Sequence, residues 1–414
     1  MTKNLYTFSV LVISTFASFA QGAWTAKANF TGTKRQYGAS FTIGTKAYIF
    51  GGLNCTTPAC YYNDLWEWDQ ASNIWTQRAP CPGVARRGCV AFSIGTKGYI
   101  SCGSDLNGVL KKDLWEWDQG SNTWLQKTDF PGTAREDATA FSISGKGYVG
   151  CGKSPGPKID WFEYNPGTDS WLPKLNFPGT GRYAAVGFSI GGKGYQCTGF
   201  QGGANPYVGD LWEFDPIANS WTPRAALTGD PRIYASGFSI GTKAYIAIGY
   251  DSPTYGGLGV YNDFWEWDQF SNTWSAMASI PAASRAYGFG FSLGTKGYIS
   301  MGGNAPTLAG TNGDLWEWGP TVASVSEHQS ETGISYYPNP VSTKLNVEIF
   351  DFKENLRLLI TDVVGKEIMY EKLTFQQTQS GKAELNISEF NTGIYFLNLF
   401  EGTQLINVQK LIKE

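Results

Sequence analysis

The sequence runs Tyr48-Ile49-Phe50-Gly51-Gly52, then Asp64-Leu65-Trp66-Glu67-Trp68-Asp69, then Trp75, and this phrase occurs six times in related form. Each copy opens on an arginine: Arg35, Arg86, Arg135, Arg182, Arg232 and Arg285. A phenylalanine follows six residues later (Phe41, Phe92, Phe141, Phe188, Phe238, Phe291) and a tyrosine seven beyond it (Tyr48, Tyr99, Tyr148, Tyr195, Tyr245, Tyr298). The arginines lie 47 to 53 residues apart, a period that marks an array of like units.

Within the first unit, four short β-prone segments (residues 38–43, 46–52, 64–69 and 74–78) are separated by turn chemistry. In five units a tryptophan (Trp75, Trp124, Trp171, Trp221, Trp274) follows the aromatic-Glu-aromatic triplet and precedes the next arginine by eleven positions. The sixth triplet, Trp316-Glu317-Trp318, runs into Gly319-Pro320 and lacks it, whereas Trp24 precedes Arg35 by the same eleven. The amino-terminal strand therefore completes the last unit. A ring closed in this way leaves no exposed sheet edge, and the fold expected is all-β: a six-bladed β-propeller closed by its N-terminal strand.

These residues resemble the kelch repeat over residues 24–318, with Tyr48-Ile49-Phe50-Gly51-Gly52, Asp64 to Asp69 and Trp75 as its marks. Departures are local. The double glycine is kept only at Gly51-Gly52 and Gly302-Gly303, and the third copy reads Asp160-Trp161-Phe162-Glu163-Tyr164.

All length change between units falls between the second and third strands, where tyrosine and triplet glutamate are 15 to 21 residues apart. Insertions confined to one connection lie on one face of a repeat protein, often the binding face. Those connections carry Tyr61, Tyr62, Tyr207, Tyr255 and Tyr261 among glycines, asparagines and prolines, a composition suited to recognition or simply to turns. Strand direction brings the start of strand one to the same end. The kelch resemblance implies that residues just after each arginine line the channel mouth, which makes Tyr37, Arg87, Glu136, Asp137, Tyr183, Tyr234 and Tyr287 candidate ligand contacts. Tyrosines with two acids and an arginine suit a sugar or a peptide.

The repeated charges read otherwise. Six arginines, six triplet glutamates and six aspartates (Asp64, Asp113, Asp160, Asp210, Asp263, Asp314) return in every unit. Chemistry on one substrate breaks symmetry, so these are expected to pair and hold the fold.

The 414 residues carry 32 Lys and Arg against 35 Asp and Glu, so no basic footprint for nucleic acid is present. A single histidine, His328, excludes His-cluster metal sites and His-based triads, and no cofactor or metal is expected. Residues 1–20, with Lys3, an apolar stretch from Leu5 to Phe16 and Ala17-Ser18-Phe19-Ala20, read as a secretory signal peptide. Export permits disulfides, and Cys55 with Cys60 is the pair expected among seven cysteines.

After a propeller at 21–319 and a linker at 320–334, residues 335–414 contain no Trp or Cys and read as a small antiparallel β-sandwich with strands at 344–350, 356–363, 367–373, 383–387 and 394–400. Tyr337-Pro338-Asn339-Pro340, Thr361-Asp362 with Gly365-Lys366, Gly393-Ile394-Tyr395-Phe396 and Lys410-Leu411-Ile412 resemble the type A C-terminal sorting domain of bacterial type IX secretion. The resemblance implies passage through the periplasm, engagement of the type IX machinery, and a secreted or outer-surface product, released or fixed to lipopolysaccharide after tail removal.

The reading that follows is a non-catalytic binding module for a glycan or an extracellular protein. The alternative is a carbohydrate-active enzyme of the sialic acid mutarotase kind, for which Arg87 with Glu136 or Asp137 would supply the groups. A copper oxidase of the galactose oxidase kind is disfavoured because its metal needs histidine. A scaffold in a larger surface assembly is a third class.

Overall fold

In the computed structural model of the chain, the described residues are 22–54, 60–204, 206–252, 259–303, 310–320, 333–337, 340–350, 356–362, 367–372, 382–401 and 404–413. The chain divides into two compact units, Met1–Thr321 and Val322–Glu414.

The first unit consists of six four-stranded antiparallel blades, plus a small two-stranded hairpin, Lys153–Ser154 with Gly156–Pro157. In blade one the strands are Ala39–Ile43, Lys46–Phe50, Leu65–Asp69 and Ile74–Arg78. Strand one alternates: Ala39, Phe41 and Ile43 are buried between blades, while Ser40 and Thr42 line the axial channel. Strand two is buried from Ala47 to Phe50, because neighbouring blades cover both of its faces.

Blades stack through an aromatic-on-glycine contact. The ring of Phe41 lies where a Cβ on Gly98 of the next blade would sit 2.2 Å away, and Phe92 and Phe141 stand in the same relation to Gly147 and Gly194. Blade three departs from the pattern by a volume exchange. Trp161 takes the place of Leu65, and its cross-strand partner is Gly150 where blade one has Phe50.

Closure occurs as the spacing predicts. Gly22–Ala26 pairs antiparallel with Leu315–Pro320, placing Trp24 opposite Trp318. Trp24 Nε1 donates to the Ala278 carbonyl at 2.8 Å, as Trp75 does to Ala28 at 3.0 Å and Trp124 to Ala79 at 2.8 Å.

The second unit holds a three-stranded sheet (Gly333–Tyr337, Lys344–Phe350, Lys382–Asn386) and a four-stranded one (Leu356–Asp362, Glu367–Lys372, Gly393–Glu401, Gln404–Lys413). Leu345, Val347, Leu358, Ile360, Leu385, Leu397, Leu399 and Leu411 form its core. Five strands fall where the sequence places them, and two more, Gly333–Tyr337 and Gln404–Lys413, extend the sheets. The last strand is hard to read from sequence because Asn407, Gln409 and Lys410 interrupt its apolar residues.

A chain shortened to begin at Ala28 would leave Leu315–Pro320 as an open edge. We expect it to melt at lower temperature and to aggregate with concentration, and Trp24→Ala to lose about 3 kcal/mol. Scanning calorimetry with light scattering checks this; unchanged melting would show that the ring closes without its amino-terminal strand.

Candidate functional site

Each repeat arginine is buried and grips its own blade. Arg135 donates from Nη1 and Nη2 to the two carboxylate oxygens of Asp160 at 2.6 and 2.7 Å, from Nη1 to the Cys151 carbonyl at 2.7 Å, and from Nε to the Thr133 carbonyl at 2.9 Å. Arg86 repeats this with Asp113, Cys102 and Val84, and the remaining four pair with Asp64, Asp210, Asp263 and Asp314. Five of the aspartates, all but Asp160, also accept an indole N–H, from Trp66, Trp115, Trp212, Trp265 or Trp316. The triplet glutamates accept tyrosine hydroxyls, as Glu67 does from Tyr48 at 2.8 Å. These charges are structural, as their regularity implied.

The clamp fixes the two residues after it. The first forms a bridge with the connection after strand two: Gln36 with Leu53, Arg87 with Ser104, Glu136 with Lys153, Tyr183 with Phe200, Ile233 with Tyr250, and Ala286 with Gly303. The second has left-handed backbone in all six blades: Tyr37, Gly88, Asp137, Ala184, Tyr234 and Tyr287, with φ between 52° and 65°. That conformation turns each N–H toward the preceding blade. Six backbone hydrogen bonds then close a ring: Gly88 to Tyr37, Asp137 to Gly88, Ala184 to Asp137, Tyr234 to Ala184, Tyr287 to Tyr234 and Tyr37 to Tyr287, at 2.8 to 3.2 Å. Five of the six residues are not glycine and bear roughly 1–2 kcal/mol each for the left-handed backbone, which the ring hydrogen bonds offset.

A cavity of about 110 Å³ sits at this ring, lined by its six residues and those that follow them, Cys89 among them. It leads toward cavities of about 190 and 160 Å³ further along strand one, the last lined by Thr42, Ser93 and Ser142. The ring is not symmetric in its side chains. Tyrosines from blades five, six and one cluster together, with Tyr234 and Tyr287 centroids 4.2 Å apart and Tyr37 at 5.1 and 4.9 Å from them. Gly88, Asp137 and Ala184 of blades two to four face that cluster.

Tyr37 donates its hydroxyl to Asp137 Oδ2 at 2.7 Å and Tyr234 donates to the same oxygen at 3.1 Å. Burial first, then the nearby Glu136 charge, pushes the Asp137 carboxyl up to about 7. Burial and then the Asp137 charge hold the Tyr37 and Tyr234 hydroxyls well above their ordinary value, so both stay protonated as donors. Arg87 lies over the Tyr37 and Tyr61 rings at 5.3 and 5.7 Å, with its Nε 3.7 Å from Glu136 Oε2. Those two atoms are buried and have no hydrogen-bond partner among the described residues.

Thus Tyr37, Arg87, Glu136, Asp137, Tyr234 and Tyr287 come together at the mouth, with Tyr61 beside Arg87. Tyr183 stands one step outward, its ring tilted against Phe200 at 5.1 Å, which meets Tyr207 edge-on at 5.5 Å. Tyr62 and Tyr261 lie elsewhere. Their rings cover the Arg35 and Arg232 guanidinium groups at 4.2 and 4.1 Å, so they serve the clamp. Tyr255 and Cys55 fall outside the described residues, and with Cys55 goes the proposed disulfide to Cys60. Sequence reasoning missed Phe200, Tyr250, Lys153 and Gln36. Their signal was position, since Gln36 immediately follows a repeat arginine and Lys153, Phe200 and Tyr250 each bridge the residue that does.

The family described as the secretion system C-terminal sorting domain matches residues 335–414. These residues are a type IX secretion sorting domain. The protein is therefore exported to the cell surface or the extracellular space, and its tail engages the type IX machinery. Among solved structures, the chain is similar to one titled "Structure of YjhT", with 17% sequence identity, a TM-score of 0.57, and coverage of 69% of this chain and 95% of that one. That likeness is one of fold, and with the six repeated four-stranded sheets it marks the first unit as a β-propeller. No curated protein matches the chain.

Two outcomes follow for this exported propeller. Deleting residues 335–414 is expected to hold the protein on the periplasmic side of the outer membrane, as cell fractionation would read; undiminished export would remove the tail from the route. The second concerns Asp137, whose folded-state value of about 7 lies above the ~3.9 of an unfolded aspartate. Its stabilising contribution is complete below about pH 4 and is lost as pH rises through 7. Asp137→Asn, which keeps an oxygen acceptor and a residue type tolerant of left-handed backbone, should gain on the order of 2–4 kcal/mol over the parent at pH 8 and little at pH 4. Urea unfolding at both pH values decides it, and an equal difference at both would contradict the assignment.

Proposed function

We propose that the exported propeller is a binding module that holds a glycan or extracellular protein ligand at the ring mouth without transforming it. The observation that carries this reading is a constant backbone ring whose side chains break its symmetry, with tyrosine in three adjacent blades and Gly88, Asp137 and Ala184 in the other three. Tyr37 and Tyr234 spend their hydroxyls on Asp137, which leaves rigid aromatic faces of low conformational entropy, the kind recognition surfaces use. The outer wall of Tyr183, Phe200 and Tyr207 extends that surface across blade four. We place the signal peptide at 1–20, the propeller at 21–319 and the linker at 320–334, with release or attachment to lipopolysaccharide following tail removal.

A second reading has one observation in its favour. A carboxyl near 7 stands beside an arginine and a second acid, which is the condition for proton transfer on a sugar of the mutarotase kind. Saturation-transfer NMR followed over time separates the two, using a sugar panel that includes sialic acid placed in one anomeric form. Transfer without spectral change supports binding; accelerated anomer exchange supports catalysis through Arg87, Glu136 and Asp137. Under the binding reading, Tyr234→Ala and Tyr183→Ala are expected to weaken a captured ligand about tenfold while thermal unfolding stays cooperative. Unchanged affinity in both would move the site off the ring.

A further inference from the structure

When Asp137 is ionised, the mouth carries one more negative charge than Arg87 neutralises. Glu136 is 9% exposed and Asp137 7%, both facing the ring, and Arg87 is the cation paired with Glu136 at 3.7 Å. Lys153 stands over the Tyr183 ring at 5.4 Å, on the outer wall. Asp137 Oδ2 takes both tyrosine hydroxyls, but Oδ1 accepts no hydrogen bond among the described residues. That oxygen lies 2.9 Å from where a Cβ at position 88 would be, so Gly88 keeps the approach to it open. Beside it are the hydroxyl ends of Tyr37 and Tyr234, with the Tyr287 ring packed against both. A carboxylate oxygen without a donor, next to aromatic rings, is matched by a cation that brings its own N–H groups.

Size narrows the choice. The cavity of about 110 Å³ is smaller than the roughly 150 Å³ that holds one benzene molecule, so a slender chain reaches its floor whereas a sugar ring would rest at the mouth above it. An unbranched alkylammonium enters end-on. Two buried carboxylates also repel an anionic ligand.

We infer that the ring mouth takes the ammonium end of a lysine side chain from a protein ligand, with Asp137 Oδ1 as its ion-pair partner and the tyrosine rings around its methylenes. The inference rests on the binding reading and names its ligand. The groups that face Asp137 are Glu136, Arg87, Tyr37, Tyr183, Tyr234, Tyr287 and the Cys89 thiol. All the hydroxyls named with a shift, and the thiol, are pushed up by burial, and it is Asp137 that changes charge near neutrality. With Asp137 at about 7, one tenth is ionised at pH 6 and nine tenths at pH 8, so affinity for a cation rises about tenfold across that interval and binding releases a proton.

The test is calorimetry of the full chain with Nα-acetyl-lysine methylamide, its Nε-acetylated counterpart and glucosamine, at pH 6 and 8 and in two buffers of different ionisation enthalpy. Expected are binding of the lysine probe alone, about tenfold tighter at pH 8, with proton release, and a loss of tenfold or more in Asp137→Asn. Tyr37→Phe, which keeps the ring and removes one donor to the ionised Asp137, should retain binding and raise the pH at which it tightens. Equal binding of the acetylated probe, a reversed pH response, or an unaffected Asp137→Asn would overturn the inference. Equal binding of glucosamine would overturn the protein source in favour of an amino sugar. Should a neutral sugar bind in a manner lost in Tyr234→Ala while the lysine probe does not, the ligand assignment falls and the binding reading stands. If nothing binds at the ring, both fall.

Discussion

The structure depends on six buried guanidinium groups. Each is held by two carboxylate oxygens and a backbone carbonyl of its own blade, so its charge is paired and its donors are used. A buried arginine without these partners would be severely unfavourable, and with them it becomes a rigid corner post. Everything at the channel mouth is positioned from it. The carbonyl that it holds belongs to a residue of positive φ after strand two: Gly51, Cys102, Cys151, Thr198, Ile248 or Met301. Thr198 and Ile248 are β-branched residues in a conformation such residues rarely adopt, which shows how firmly the clamp sets the backbone.

The next residue explains the glycine pattern better than the paired glycines do. Gly52, Gly103, Gly152, Gly199, Gly249 and Gly302 occupy one position in all six blades, each with positive φ. A Cβ at Gly52 would lie 2.6 Å from the Gln36 carbonyl and one at Gly103 2.7 Å from that of Arg87. Each of their N–H groups donates to the carbonyl of the repeat arginine in the next blade. The clamp therefore ties blades together through main chain as well as holding each one internally.

Closure, blade number and the structural role of the repeated charges were legible because they rest on spacing, and spacing survives where residue identity changes. Trp24 announced its sixth-blade role by eleven residues alone. The mouth was legible only in part. The two positions after each arginine were visible as the variable ones, but the ring of hydrogen bonds depends on a left-handed backbone at Tyr37, Asp137, Ala184, Tyr234 and Tyr287, residue types that do not declare it. The loop tyrosines were divided by geometry that no composition reports. Tyr61 faces Arg87 at the mouth, whereas its chain neighbour Tyr62 turns to cover Arg35, since successive residues of an extended segment point to opposite sides.

A sixfold frame becomes directional through three adjacent blades. Tyrosines at the ring positions of blades five, six and one fill half the mouth, and two of them reach across to Asp137 of blade three. Gly88 and Ala184, on either side of Asp137, leave the other half open. Exchanging either for a tyrosine would crowd the carboxylate, and exchanging Asp137 for a small residue would leave two hydroxyls of the aromatic half without their acceptor. The acid and the tyrosines are thus one unit. Because the ring hydrogen bonds run through main chain alone, this unit can be altered without altering the ring, which is how a repeated fold carries a site that occurs once.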